Sequence, residues 1–120
     1  MGIILHITKR ESWEEGQRAG AYAAPSLQRQ GFIHCSTADQ VIRVADFLFR
    51  GQRDLVLLCV DEQRLAHEVR YENLEGGETE FPHVYGAVNP DAVVGVVDFP
   101  PRADGTFELP ADVERMMTET

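Results

Sequence analysis

Residues 31–41 read Gly-Phe-Ile-His-Cys-Ser-Thr-Ala-Asp-Gln-Val, a stretch that changes from apolar to polar halfway along. Its first part has the composition of a buried strand, and the polar residues that follow suit a tight corner. Thr37 and Gln40 have the spacing of a capping box, in which two side chains satisfy backbone amides at a helix N-terminus. The stretch therefore predicts a strand that stops at a polar corner and turns at once into a helix.

The segment after this corner has the apolar period of one buried helix face. Its apolar residues are spaced i, i+3, i+4, i+7 and i+8: Val41, Val44, Ala45, Leu48 and Phe49. Gly51 follows as a stop signal. His34 is thus predicted to lie near a strand end, beside a helix N-terminus, where an anion or another ligand can be held.

Four segments on either side have the alternation or the apolar runs of strands: residues 3–8, 55–60, 69–73 and 92–99. In the first, alternation places His6 and Thr8 on one face. The second is a continuous apolar run, which predicts a central strand covered on both faces. Gly95 marks a bulge or a point of close approach in the last strand.

Short elements complete the predicted chain. A second capping box, Ser12 with Glu15, predicts a helix that starts at Trp13. The other expected elements are a helical turn capped by Ser26, an edge strand at 107–109 and a final helix at 110–117. Because strands dominate the second half, we expect one α+β domain over residues 1–120, with residues 118–120 frayed.

The composition limits the class of protein. The chain has 120 residues, of which 43% are hydrophobic, enough for the core of one domain without metal or disulfide staples. No apolar run approaches the roughly 18 residues of a membrane span, and no basic-then-apolar leader opens the chain. We therefore expect a cytoplasmic protein with no membrane partner. Cys35 and Cys59 lie in apolar runs and are expected to be buried, reduced thiols.

The net charge of −9 is concentrated in the second half of the chain. Residues 1–60 carry 7 basic and 6 acidic side chains, whereas residues 61–120 carry 4 basic and 14 acidic ones. An acidic half argues against general nucleic-acid binding, which needs Lys and Arg on one face. It leaves room for one small phosphate-bearing ligand near the first half, and a solvated acidic surface also favours solubility.

Three of the four histidines have settings that suit chemistry: His6 on a strand, His34 at a strand end and His83 after an acidic glycine loop. Imidazole serves acid–base catalysis, ligand binding and metal binding near neutral pH. Three histidines from separate strands could form a His₃ metal site. No local metal motif is present, however, so no metal is expected. Each histidine could also be a structural residue with satisfied hydrogen bonds.

Other polar and aromatic side chains could complete a ligand site. If Thr37 caps the helix, Ser36 is the hydroxyl that remains for a ligand. Phe81 and Tyr85 alternate onto the same strand face as His83, where they could stack on a ligand ring or pack in the core. The candidate carboxylates are Glu72, Glu78 and Glu80, although a charge-rich loop is more often simply solvated.

Three strings of sequence resemble those of the bacterial family known as domain of unknown function 952. They are Ile-Leu-His-Ile at residues 4–7, Gly-Phe-Ile-His-Cys-Ser-Thr at 31–37 and Phe-Pro-His-Val-Tyr-Gly at 81–86. The family name carries no activity. The family is similar in fold to ADP-ribosyltransferases and RNA 2′-phosphotransferases. The resemblance therefore implies an α+β fold with strands split into two small mixed or antiparallel sheets around an NAD-binding cleft.

The resemblance also implies roles for individual residues. His6 matches the first-strand histidine that holds the nicotinamide ribose in those enzymes. His34, with Ser36 and Thr37, falls at the second-strand motif that lines the nicotinamide pocket. A later glutamate or a substitute residue acts at the ribose, and three residues stay open for this third position: Glu80, His83 and Tyr85.

The leading expectation is a histidine-rich cleft that binds NAD or another nucleotide-like ligand and transfers or cleaves its ADP-ribose. The candidate catalytic residues are His6, His34, His83 and Glu80. The candidate ligand contacts are Thr8, Ser36, Thr37, Phe81 and Tyr85. Whether the chain is an enzyme stays open, since a non-enzymatic binding module on the same fold and a metal-dependent hydrolase with three histidines are the alternatives. The oligomeric state is not predicted.

Overall fold

Six strands in two small antiparallel sheets and four helices make up the computed structural model, which describes residues 2–74 and 77–118. The strands are β1 (Ile3–Lys9), β2 (Ile33–His34), β3 (Leu55–Asp61), β4 (Val69–Glu72), β5 (Phe81–Val84) and β6 (Val93–Asp98). The helices are α1 (Arg10–Ala19), α2 (Pro25–Gln30), α3 (Val41–Leu48) and α4 (Ala111–Thr118), with single 3₁₀ turns at Glu62–Arg64 and Pro90–Ala92. The predicted α+β class is confirmed, and all strand pairs are antiparallel.

The strand β3 is central, as its continuous apolar sequence predicts. It lies between β1 and β6 in the first sheet, and all seven of its residues are buried. Its alternate side chains enter two different cores. The first core includes Val56, Leu58 and Val60 and contacts the second sheet, and the second core includes Leu55, Leu57 and Cys59 and contacts α3 and α4. Burial on both faces explains why β3 contains no polar residue before Asp61.

The second sheet has the order β2-β5-β4 and meets the first sheet at the corner after β2. There the Leu5 amide donates to the Ser36 carbonyl at 2.7 Å, and the Ser36 amide donates to the Leu5 carbonyl at 2.8 Å. This pair of bonds is the seam between the sheets. The predicted passage from strand through polar corner to helix is confirmed, but the helix does not follow at once. A turn intervenes, and α3 begins at Val41 with Gln40, not Thr37, at the N-cap position.

Half of the predicted capping box is present at this corner. The Thr37 amide donates to Gln40 Oε1 at 2.9 Å, whereas the Thr37 hydroxyl donates to Asp39 Oδ1 at 2.5 Å and does not accept from a helix amide. Gln40 also donates from Nε2 to the Glu80 carbonyl at 2.7 Å. This single side chain therefore joins the start of α3 to the start of β5.

Two predicted helix starts are wrong. Pairing with Leu55 extends β1 to Lys9, and α1 begins at Arg10, so Ser12 lies within the first turn and is not the cap. Pro25 begins α2 in place of a cap at Ser26, since its fixed φ angle suits the first helical position.

The edge strand predicted at residues 107–109 is also wrong. The Phe107 amide donates to Asp46 Oδ1 at 2.8 Å, so it has a side-chain partner in place of a strand. Its ring stacks on Phe99 in the second core, with centroids 4.7 Å apart. The final helix is confirmed as α4, which includes Thr118, and the rest of the predicted frayed tail, residues 119–120, lies outside the described residues.

Two glycines allow close approach between elements. A Cβ atom on Gly95 would lie 2.9 Å from Met116 Cε of α4, and the β3–β6 register shifts beside this residue, so the predicted bulge or close approach is confirmed. A Cβ atom on Gly16 would lie 2.8 Å from Tyr22 Cβ and 2.9 Å from Tyr22 Cα. Backbone atoms are among these neighbours, so α1 can pack against Tyr22 only if residue 16 is glycine.

This contact predicts the effect of replacing Gly16 with alanine. In an exposed helix, Gly→Ala stabilises by about 1 kcal/mol, but here the added methyl group must push Tyr22 away. We expect Gly16→Ala to lower the free energy of unfolding by about 1–3 kcal/mol, as overpacking does. Urea denaturation measures it, with the exposed neighbour Glu15→Ala as control. A stabilised Gly16→Ala protein would contradict the close approach.

Candidate functional site

His6 lies between the sheets in a chain of buried hydrogen bonds. Its Nδ1 atom is 2.6 Å from the His34 carbonyl oxygen, across the seam, and its Nε2 atom is 2.8 Å from the Tyr22 hydroxyl. The Tyr22 hydroxyl is also bonded to Thr8 Oγ1 at 2.9 Å. All three side chains are buried. Both ring nitrogens of His6 therefore have partners within the protein.

The chemistry of these partners assigns the protons of the His6 ring. A carbonyl oxygen can only accept, so Nδ1 carries a hydrogen and donates to His34. Burial lowers the pKa of His6 to about 4, and the bond to the His34 carbonyl offsets only part of this effect. At neutral pH Nε2 is therefore unprotonated and accepts from Tyr22, whose oxygen in turn accepts from Thr8.

The low pKa of His6 predicts a loss of stability in mild acid. The unfolded chain, with a histidine pKa near 6.5, binds the proton first. The stabilisation is therefore complete above pH 6.5 and decreases as the pH falls towards 4. From the pKa difference we expect a loss of about 3 kcal/mol in the free energy of unfolding between pH 7 and pH 4.

The matched control for this prediction is His6→Gln, which cannot titrate. Urea denaturation of both proteins across this pH range separates His6 from the other ionisable groups, which the two proteins share. The wild-type protein should lose about 3 kcal/mol more than the variant. If the free energy of unfolding of the two proteins changed with pH in the same way, burial would not lower the pKa of His6, and the prediction would be contradicted.

The rings of His34 and His83 meet on the opposite face of the second sheet, away from the first core. His34 and His83 are paired across β2 and β5, and Arg70 is paired with His83 across β5 and β4. Their neighbours Ile33 and Val84 point into the first core, so alternation directs the three side chains outward. The two histidine rings are 5.3 Å apart at 80°.

Aromatic rings and one carboxylate complete this group, which we name the outer-face cluster: Phe32, His34, Arg70, Glu72, His83 and Tyr85. The Phe32 ring stacks on His83 with centroids 4.2 Å apart, and it contacts His34 at 5.0 Å and Tyr85 at 5.4 Å. His83 is only 1% exposed, whereas His34 and Tyr85 are partly exposed. The cluster thus has a sealed centre and an accessible rim.

Glu72 is the carboxylate of the outer-face cluster. Its Oε1 atom accepts from the Tyr85 hydroxyl at 2.6 Å and from His83 Nδ1 at 3.0 Å. Both bonds lower the pKa of Glu72, and the bond from Tyr85 has the larger effect. The bond between Tyr85 and Glu72 also raises the pKa of Tyr85. Glu72 is therefore ionised at neutral pH and holds the His83 ring in one orientation.

The rim of the cluster is held by Gln30, which lies outside the cluster, and by Arg70, which belongs to it. Gln30 Oε1 lies 2.7 Å from His34 Nε2, so this nitrogen donates to an amide oxygen at the end of α2. The Arg70 guanidinium lies over the Tyr85 ring, 4.4 Å from its centroid. It also pairs with Glu68, at 2.9 Å.

The structure places five of the predicted site residues in these two places. His6 and Thr8 belong to the buried chain, while His34, His83 and Tyr85 belong to the outer-face cluster. The partly exposed Phe81 is paired with Glu72 across β5 and β4, beside the cluster. Glu80 precedes β5 and is exposed, so the carboxylate that contacts His83 is Glu72.

The remaining predicted contacts, Ser36 and Thr37, lie at the corner before α3. Ser36 is 5% exposed and forms the seam with its backbone. The Thr37 hydroxyl is bonded to Asp39. Cys35 and Cys59 are free and buried, as predicted, and burial raises the pKa of the Cys35 thiol to about 12.

The histidines do not form a metal site in the part of the chain that the structure describes. Within residues 2–74 and 77–118, no group of three His, Cys, Asp or Glu side chains is placed to hold a metal ion. His6 already uses both ring nitrogens, on the other side of the sheet from His34 and His83. No described helix is long and apolar enough to cross a bilayer.

Sequence reasoning did not select four residues that shape these two places: Tyr22, Gln30, Phe32 and Arg70. Tyr22 lies in a loop that has no strand or helix pattern, and its backbone pairs with Val88. Phe32 and Arg70 could have been found by extending the alternation of His34 and Glu72 by two residues. Gln30 carries no such signal.

The chain is thus a two-sheet α+β domain with aromatic rings and a carboxylate on one outer face, and known proteins resemble it in sequence and fold. The chain belongs to the family described as "Protein of unknown function (DUF952)", whose family model matches residues 7–96. The predicted family is therefore confirmed. No curated protein matches the chain in sequence.

Solved structures of one bacterial protein are similar to the chain. The crystal structure of protein CC0527 from Caulobacter crescentus is 32% identical, covers 90% of this chain and 95% of that chain, and has a TM-score of 0.81. The solution NMR structure of CC0527 is 33% identical, covers 91% and 94% respectively, and has a TM-score of 0.79. The shared fold thus extends over most of both chains.

Proposed function

We propose that the outer-face cluster binds a nucleotide-like ligand, with NAD⁺ as the first candidate, and that Glu72 faces its charged nicotinamide ring. The observation that carries the proposal is the pair of bonds to Glu72 Oε1, from Tyr85 at 2.6 Å and from His83 at 3.0 Å. They hold an ionised carboxylate in place among aromatic rings. Such a site favours a planar ligand that carries positive charge.

The charges around the cluster favour binding of a cationic ring and disfavour binding of an anionic group. Glu68 and Glu72 carry two negative charges, and Arg70 supplies one positive charge that is already paired with Glu68. Residues 61–120, which contain β4 and β5, carry 14 acidic and 4 basic side chains. A phosphate group therefore meets repulsion here, whereas a pyridinium ring meets attraction, so we propose that the nicotinamide end of NAD⁺, and not its diphosphate, lies over the cluster.

The same carboxylate suits transfer or cleavage of ADP-ribose. Departure of nicotinamide from NAD⁺ leaves positive charge on the ribose, which a fixed carboxylate stabilises. Glu72 would supply this carboxylate. His83 donates from Nδ1 to Glu72, so when neutral it presents Nε2 as a base for the proton of an incoming hydroxyl group.

The burial of His83 favours the alternative, binding without chemistry. The ring is 1% exposed beneath Phe32, and a base must reach the proton that it removes. In the alternative, the cluster recognises the ligand through its rim and His83 only orients Glu72. Release of nicotinamide from bound NAD⁺ separates the two: stoichiometric binding with no release supports the binding module, and steady release supports the enzyme.

The proposal predicts a charge-dependent binding profile. Isothermal titration should show that NAD⁺ binds more tightly than NADH, whose dihydronicotinamide ring is neutral. Glu72→Gln should weaken NAD⁺ binding about tenfold, the loss expected for a charge-assisted contact, and should leave NADH binding nearly unchanged. The control Glu78→Gln removes the same charge from an exposed position in the neighbouring loop.

Two results would contradict this proposal. Equal affinity for NAD⁺ and NADH would remove the role of the ring charge. Equal weakening by Glu72→Gln and Glu78→Gln would reduce Glu72 to a part of the general acidic surface. In either case the carboxylate would not face the nicotinamide ring.

A further inference from the structure

Arg70 occupies one face of the only tyrosine in the outer-face cluster. Its guanidinium carbon is 4.4 Å from the centroid of the Tyr85 ring, within the range of a cation–π contact. The Tyr85 hydroxyl donates to Glu72 at 2.6 Å, so the ring is held in place while Arg70 lies against it. The contact joins a planar cation to an aromatic face beside a carboxylate.

The restraints on Arg70 are weak. Its guanidinium donates to Glu68 Oε2 from Nη2 at 2.9 Å and from Nε at 3.0 Å, but the Arg70 side chain is 51% exposed and that of Glu68 is 61% exposed. Exposed ion pairs contribute little, because water screens them and both side chains lose freedom. An exposed cation–π contact is similarly small. Arg70 can therefore leave the Tyr85 ring at little cost, whereas Tyr85 and Glu72 stay bonded to each other.

We infer that Arg70 is a displaceable stand-in for the ligand, covering the face of Tyr85 on which a planar cationic ring of the ligand stacks. This inference rests on the proposed function and narrows the ligand class to compounds with a planar cation, such as a pyridinium or guanidinium group. Glu72 attracts the incoming cation, and Tyr85 offers its face once the guanidinium has moved. Arg70 thus competes with the ligand for one position.

The test uses two probes of nearly the same shape. 1-Methylnicotinamide is a planar pyridinium cation, and nicotinamide is its neutral counterpart. We expect the wild-type protein to bind the cation more tightly. Arg70→Ala should raise the affinity for 1-methylnicotinamide by about twofold to fivefold, the range that corresponds to an exposed cation–π contact, and should change the affinity for nicotinamide less. Titration calorimetry or NMR chemical shifts measure both.

The control for net charge is Arg29→Ala, which removes a positive charge from the exposed surface of α2. Equal gains from Arg29→Ala and Arg70→Ala would assign the effect to bulk charge and overturn the inference. Weaker cation binding by Arg70→Ala would make Arg70 a ligand contact, which overturns the inference while the proposed function stands. If neither the cation nor NAD⁺ binds any of the three proteins, the proposed function falls as well.

Discussion

The hydrogen bond from the His6 ring to the His34 main chain joins the two sheets through the short strand β2. β2 has only two residues, and the seam itself is a single pair of bonds between Leu5 and Ser36. His6 reinforces this seam from the first core, and Tyr22 and Thr8 complete its hydrogen bonds. Because an unpaired polar group in such a core is costly, the rest of the packing depends on all of these bonds forming together.

The chain of hydrogen bonds through His6 also fixes the position of the residues on the opposite face of the second sheet. His34 contributes its carbonyl oxygen to His6 and its ring to the outer-face cluster, so one residue takes part in both places. The strand pairing then sets His83 beside His34, and Glu72 bonds to both His83 and Tyr85. One histidine is thus structural, two belong to the candidate site, and the fourth, His67, lies on the exposed surface.

Local periodicity was sufficient for much of the fold and for little of the site. The helix after the corner, the covered strand β3 and the alternation of β1 follow from residue spacing alone, because each depends on which face is buried. The start of α1 and the role of Phe107 depend on partners distant in sequence, Leu55 and Asp46, and were missed. The sequence favoured Glu80 over Glu72 for the same reason, since only the β4–β5 pairing brings Glu72 to His83.

The central claim is that His6 is sealed into the fold while His34 and His83 form the face that meets a ligand. Histidine ring NMR tests it most directly, since the chain has only four histidines. On titration with NAD⁺, the ring signals of His34 and His83 should shift together, and that of His6 should stay in place. A shift of His6 that matches or exceeds those of His34 and His83 would contradict the account and place the ligand between the sheets.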